Sequence, residues 1–273
     1  MRLGCCLPSW GASAAGADWG ALRGRLETLR SAGYDYAELS ARDIALLSDA
    51  DFQVCAREVR SAGLPVLAAN SFIPAQLPVV GPQVDEGALR SFVDLALRRL
   101  GELGAERVVF GSGPARRAPD GFSPETARGQ IAAFLRNCQE PAERYGIVIA
   151  IEPLNRSETN TILSVADGAR LAAEVDRPRI RLLADSYHMY REGESYEVLR
   201  AAAPWLAHVH VANREERRRP GHLPTDGEDL RALFAALADA GYDGGVSIEC
   251  RFVNFESESA EALALLRRVQ ESV

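Results

Sequence analysis

Four apolar runs in the second half of the chain each close on a side chain able to bind a metal ion. IAIE ends on Glu152, RLLAD on Asp185, HVH on His210 and VSIE on Glu249. One carboxylate at the end of an apolar run is commonplace; an unbroken Glu, Asp, His, Glu series is a constellation. Three carboxylates and one imidazole make a hard, oxygen-rich donor set. It suits one divalent ion of the Mn2+, Mg2+ or Co2+ kind, admits Zn2+, and differs from a thiolate zinc site. The carboxylates outweigh the charge of such an ion, so an oxygen can be spared for proton transfer. An ion that polarises a carbonyl, with a Glu beside it to remove the adjacent C–H proton, is what an enolising reaction needs.

The histidines concentrate the same signal. All four, His188, His208, His210 and His222, fall in one stretch. In LAHVHVA, His208 and His210 are two apart and share one face of a strand. His210, nearer the end of the run, is the better ligand, and His208 reads as a hydrogen-bonded core residue.

Composition narrows the chemistry further. The 273 residues carry a formal charge of −7, and 47% are hydrophobic and 25% charged, an ordinary globular balance. The acidic surplus argues against a partner that is nucleic acid or an anionic membrane. All 31 basic residues are Arg. Without Lys the chain forms no side-chain Schiff base and has no P-loop lysine, which excludes lysine-dependent aldolases and pyridoxal phosphate enzymes. No apolar stretch is long enough for a membrane span, and the N-terminal MRLGCCLPSWG is too short for a secretory signal. The five cysteines, Cys5, Cys6, Cys55, Cys138 and Cys250, are odd in number and form no CxxC. They read as reduced thiols of a cytoplasmic protein.

The elements that must position these residues repeat along the chain. SAGYDYAEL (31–39), SAGLPVLAAN (61–70), ELGAERVVFGSG (102–113), RYGIVIAIEP (144–153) and DAGYDGGVSIEC (239–250) each join a helix end to an apolar run through Gly33, Gly63, Gly104, Gly146 or Gly241. Each glycine stands where a helix terminates in the left-handed region. LGCCLP (3–8), RIRLLAD (179–185) and LAHVHVA (206–212) bring the set to eight buried parallel strands. Amphipathic helices fill the gaps. Leu22, Leu26 and Leu29 recur behind an Asp18 cap, and Leu89, Phe92, Val93, Ala96 and Leu100 form a stripe over 85–103. Ser123-Pro124 opens another helix, and Ser164, Ser195, Asp226 and Ser257 stand before the later ones. Eight strand–helix units predict an α/β fold, a single (β/α)8 TIM barrel forming one domain over 1–273, with its active site at the strand C-termini. A doubly wound sheet would want a Gly-rich turn after its first strand, and LPSWGASAAG lacks the GxGxxG order.

IEPLNRSETN (151–160), ADSYHM (184–189), HVHVANR (208–214), RRPG (218–221) and GYDGGVSIE (241–249) resemble the xylose isomerase-like barrel superfamily, over nearly the whole chain. Within it they are similar to the sugar isomerase/epimerase group, which includes the ketose 3-epimerases. The resemblance implies metal ligands at Glu152, Asp185, His210 and Glu249, with Glu152 and Glu249 as the catalytic proton-transfer pair on opposite faces of the substrate. It implies substrate contacts at Glu158, His188 and Arg217. The stretch from His210 to Gly221 is one residue longer than in the ketose epimerases, so Arg214 rivals Arg217. GSGPARRAPDGF (111–122) is a Gly-rich loop whose Arg116 and Arg117 could line the pocket or hold an anionic group. The implied activity is that of a metal-dependent isomerase or epimerase acting on a small sugar, a ketose or ketose-like substrate, through a metal-stabilised cis-enediolate. The alternative on the same barrel is a keto-inositol-type dehydratase. A DNA-repair endonuclease of the superfamily resembles a three-metal site with further histidines, and here no His precedes residue 188. Barrels of this kind often pair through their helical faces, as homodimers or homotetramers.

Overall fold

Five helices hand over to the next strand through a glycine in the left-handed region, Gly33 (φ 95°), Gly63 (67°), Gly104 (88°), Gly146 (72°) and Gly241 (68°), as the sequence pattern requires. The protein is seen in a computed structural model that describes residues 1–12 and 17–273. Residues 13–16, part of the segment after the first strand that lacks a GxGxxG order, lie outside the described residues. The strands are β1 (Arg2–Cys6), β2 (Tyr36–Ser40), β3 (Val66–Asn70), β4 (Arg107–Phe110), β5 (Val148–Ile151), β6 (Ile180–Asp185), β7 (Leu206–Val211) and β8 (Gly245–Ile248). They are parallel, pair in sequence order, and close by pairing of β8 with β1. Around them run α1 (Trp19–Ala32), α2 (Ala41–Leu46), α3 (Asp49–Ala62), α4 (Glu86–Glu102), α5 (Gly113–Arg116), α6 (Pro124–Arg144), α7 (Val165–Val175), α8 (Ser186–Arg191), α9 (Val198–Ala202), α10 (Asp226–Asp239) and α11 (Phe255–Glu271). The chain is thus a single (β/α)8 TIM barrel. Among the described residues, no helix is long and apolar enough to cross a membrane.

Side-chain oxygens cap the helices where the sequence offers a short polar residue one step ahead. Asp18, Asp85, Ser123 and Ser164 accept from Ala21, Ala88, Thr126 and Asp167 amides. Three of the expected starts shift. Ser195 precedes α9, but Glu197 stands at its cap; Asp226 is the first residue of α10, behind Thr225; and Ser257 lies inside the first turn of α11. There Asn254 is the cap, because its side chain reaches the Ser257 amide at 3.0 Å.

Strand alternation divides the side chains. Outward residues such as Leu39, Val108, Ile149, Leu182, Val209 and Val246 join the large core under the helices. The inward Val109, Ala150 and Leu183 form a separate apolar cluster within the barrel. The opposite half of the interior is polar. Tyr36 fills its floor, its hydroxyl 2.8 Å from Ser247 Oγ. Gly4 and Gly245 leave room for that ring, and a Cβ on Gly4 would overlap it. Gly4→Ala therefore forces a ring that is packed on every side and is expected to cost about 1–3 kcal/mol, read from the urea midpoint. An unchanged midpoint would refute this account of the floor.

Candidate functional site

The four strand-end residues come together. Single donor atoms of Glu152, Asp185, His210 and Glu249 all lie within 4.8 Å of one another, the first three residues buried and Glu249 half-buried. The backbone carries the strand pattern into them: the Glu152 amide donates to Phe110 O at 3.2 Å and the Glu249 amide to Val211 O at 3.0 Å. Asp185 divides its carboxylate. Oδ1 caps α8 by accepting from the Tyr187 and His188 amides at 2.7 and 3.3 Å. Oδ2 lies 3.8 Å from His188 Nε2 and 3.9 Å from an Arg217 nitrogen. β4 ends without a polar side chain for a reason: a Cβ on Gly111 would overlap Glu152 Oε2. The glycine leaves the space this carboxylate occupies.

The donor set fits a hard divalent cation. His210 Nε2 is 3.0 Å from Glu38 Oε1, while its Nδ1 is 3.2 Å from Glu152 Oε1 and 3.5 Å from Glu249 Oε2. A ring nitrogen wedged between two carboxylates is favourable only with positive charge there, on a proton or an ion. The groups respond accordingly. Burial works against a charged His210, but Glu38 and Glu249 outweigh it and hold the imidazole well above its ordinary pKa. Burial, with Glu249 nearby, raises the Glu152 carboxyl. Burial acts the same way on Glu249, but Arg217 and His210 prevail and leave it below the usual carboxylate range.

Glu158, His188 and Arg217 complete the mouth. Asn155, in the loop after β5, places its amide N–H 3.2 Å and its Nδ2 2.9 Å from His188 Nδ1. With Nδ1 accepting, the hydrogen sits on Nε2, which is buried and has no partner among the described residues. Arg217 lies over the Tyr187 ring at 5.2 Å, donates to Glu158 Oε1 at 3.1 Å and binds Glu249 Oε2. Its backbone has φ 55°, a strained value for Arg, and is held by Asn213 O and by the Arg251 amide at 2.7 Å. Ser71 and Ser112, just beyond β3 and β4, share this left-handed backbone. Arg214 turns away, to Asp229 at 3.3 Å and over the Tyr190 ring.

The Gly-rich loop has a structural use. Arg116, fully buried, donates to the Glu152 carbonyl at 2.7 Å, and Arg117 reaches Ser157 O. Burial pushes the Arg116 guanidinium down to about 10. The loop after β5 is itself anchored: Arg156 donates to Glu192, at the end of α8, from its amide at 2.8 Å and its Nη2 at 2.7 Å.

Sequence reasoning missed three residues. Glu38, inward on β2, meets both His208 and His210. Asn70, at the end of β3, donates to Glu249 Oε1 at 3.1 Å. Gly111 is the third. His208 is the hydrogen-bonded core residue expected of it, and burial lowers it to about 4.

A sequence model of the xylose isomerase-like TIM barrel family matches residues 26–269. The chain belongs to this family. This xylose isomerase-like barrel is 32% identical over 250 residues to the L-ribulose 3-epimerase of Methylomonas sp. (strain DH-1), spanning 88% of this chain and 82% of that one. It is 30% identical over 223 residues to the 3-dehydro-D-guloside 4-epimerase of Escherichia coli (strain K12), spanning 77% and 81%. A solved L-ribulose 3-epimerase structure superposes with a TM-score of 0.84 at 22% identity, covering 100% of this chain and 95% of that one, so the fold is shared.

Proposed function

We propose that residues 1–273 act as one domain, a divalent-metal-dependent epimerase that inverts the hydroxyl-bearing carbon next to the ketone of a sugar. The convergence of Glu152, Asp185, His210 and Glu249 carries this reading. These four would hold the ion. When bound, a divalent ion supplies positive charge against the negative charge that develops on substrate oxygens. The two glutamates do the proton work. They enter from β5 and β8, three staves apart, and so approach the reacting carbon from two sides. One removes its proton, leaving an enediolate, and the other delivers a proton to the opposite face. The N–H of His188, without a partner among the described residues, is placed to donate to a substrate oxygen, and Glu158 to accept from a hydroxyl. Arg217 holds both Glu158 and Glu249 in position.

The relatives' names support one substrate class. Inversion at C3 of L-ribulose is next to its C2 ketone, and inversion at C4 of a 3-dehydro-guloside is next to its C3 ketone. Both substrates are α-hydroxy ketones.

The test is a panel of ketopentoses, ketohexoses and 3-keto-glycosides in deuterated water, with metal-stripped and Mn2+-reloaded protein. Reloaded protein is expected to invert one member and place solvent deuterium at the inverted carbon. Inversion without deuterium would refute the enediolate route. Enone absorbance would show a dehydratase instead, and an aldose product an isomerase. Arg217→Ala is expected to lower kcat/KM by at least about tenfold, and Arg214→Ala by less than about threefold, because Arg217 binds Glu158 and Glu249 whereas Arg214 pairs with Asp229. Equal effects would break the assignment of Arg217.

A further inference from the structure

We propose that Glu38, which is not among the four converging donors, is a positioning residue that fixes which ring nitrogen of His210 faces them. The proposal rests on the metal reading above. Glu38 is fully buried, and its oxygens take one imidazole each: His208 Nε2 is 2.8 Å from Oε2 and His210 Nε2 is 3.0 Å from Oε1. An ionised carboxylate only accepts, so both Nε2 atoms carry the hydrogen. His210 therefore turns Nδ1 toward Glu152 and Glu249, and the lone pair of this nitrogen is the one an ion would take. The other side of Glu38 is braced by the floor of the barrel. His208 Nε2 lies 3.3 Å from Ser247 Oγ, and Ser247 meets the Tyr36 hydroxyl. Among the described residues no arginine forms an ion pair with Glu38; its ion-pair partners are the two imidazoles.

A buried carboxylate is costly where packing alone is needed, because a neutral residue fills the same space without losing hydration of a charge. What it supplies here is two accepting oxygens at once. A Gln at 38 has one accepting oxygen and one NH2 group. Only one imidazole can then donate to it. The other must present a lone pair and carry its hydrogen on Nδ1. When that ring is His210, its metal-facing nitrogen is blocked.

The experiment titrates Mn2+ into metal-stripped wild type, Glu38→Gln and His208→Gln, with thermal melts of each. Glu38→Gln is expected to bind Mn2+ about 10–100-fold more weakly, as loss of the partner behind a histidine ligand does. His208→Gln leaves the Glu38–His210 contact in place, and its affinity is expected within about threefold of wild type. In Mg2+-loaded wild type, long-range 1H–15N correlation is expected to show His210 protonated at Nε2, and Glu38→Gln to shift it toward Nδ1. Wild-type affinity in a folded Glu38→Gln protein overturns the inference, as does an equal loss in both variants. If Glu38→Gln does not fold, the wild-type spectrum decides: a hydrogen on Nδ1 of His210 overturns it and one on Nε2 supports it. A wild type that binds no Mn2+ overturns the metal reading as well, a result distinct from these.

Discussion

Glu152→Gln and Glu249→Gln are each expected to lower kcat by about 10²–10⁴-fold, the usual worth of a positioned general acid or base. Glutamine keeps the shape and one oxygen of the side chain but cannot accept a proton from carbon. The two variants are expected to fail in mirror-image ways. Each retains the carboxylate on one face. From the epimer whose C–H points at that surviving group, the variant still removes and returns the proton, so solvent deuterium enters the starting sugar without inversion. From the other epimer, exchange stops. Swapping the variant should swap the epimer. Measuring deuterium uptake and inversion separately, for both variants and both epimers, checks this. Exchange from the same epimer in both variants would show that neither glutamate is the group that removes that proton, and would break the assignment of the pair. Because the pair acts as a unit, the double variant is expected to be little worse than the poorer single one.

Gly111→Ala is expected to leave the fold intact and remove most of the activity. The added Cβ overlaps Glu152 Oε2, the far end of a flexible side chain, and touches Leu154 beyond it. The carboxylate can swing aside at small cost in stability, but it then leaves the cluster with His210. Misplacing a reacting group by about 1 Å can cost about 100-fold in rate. The expected outcome is therefore an unchanged melting temperature within about 2 °C for metal-free protein, with kcat down at least about 100-fold. A variant that unfolds, or one that stays fully active, would show that the glycine serves something other than clearance for Glu152.

Much of the site was legible because a parallel strand delivers its last inward residue to one rim. Reading the final polar letter of each apolar run therefore finds Glu152, Asp185, His210 and Glu249 without coordinates. The helix-terminating glycines were legible for a similarly local reason, since the left-handed turn they make disfavours other side chains. Glu38 escaped because YAELS reads as an ordinary strand with one polar letter. The signal was the alternation itself, which puts Tyr36, Glu38 and Ser40 on one face, opposite His208 and His210. Asn70 was visible at the end of its run, but its value depends on Glu249 arriving from a strand 179 positions away. Gly111 acts by what it lacks, so no residue-type argument could assign it. Which of Arg214 and Arg217 faces the cluster follows from a local detail: Asn213 Oδ1 accepts from the Glu215 and Glu216 amides, and in the segment so folded the later arginine points inward.

The anchoring of Arg156 to Glu192, with Asn155 bound to His188, joins the loop that bears Glu158 to the short helix that bears His188. The two segments come from different β/α units, yet these contacts tie them together. Recombination between homologues should respect that joint. A chimera that imports one of these segments and keeps the other would strand Glu192 or His188 without its native mate, whereas exchanging both together would transplant an intact wall and make altered sugar preference reachable in a single step.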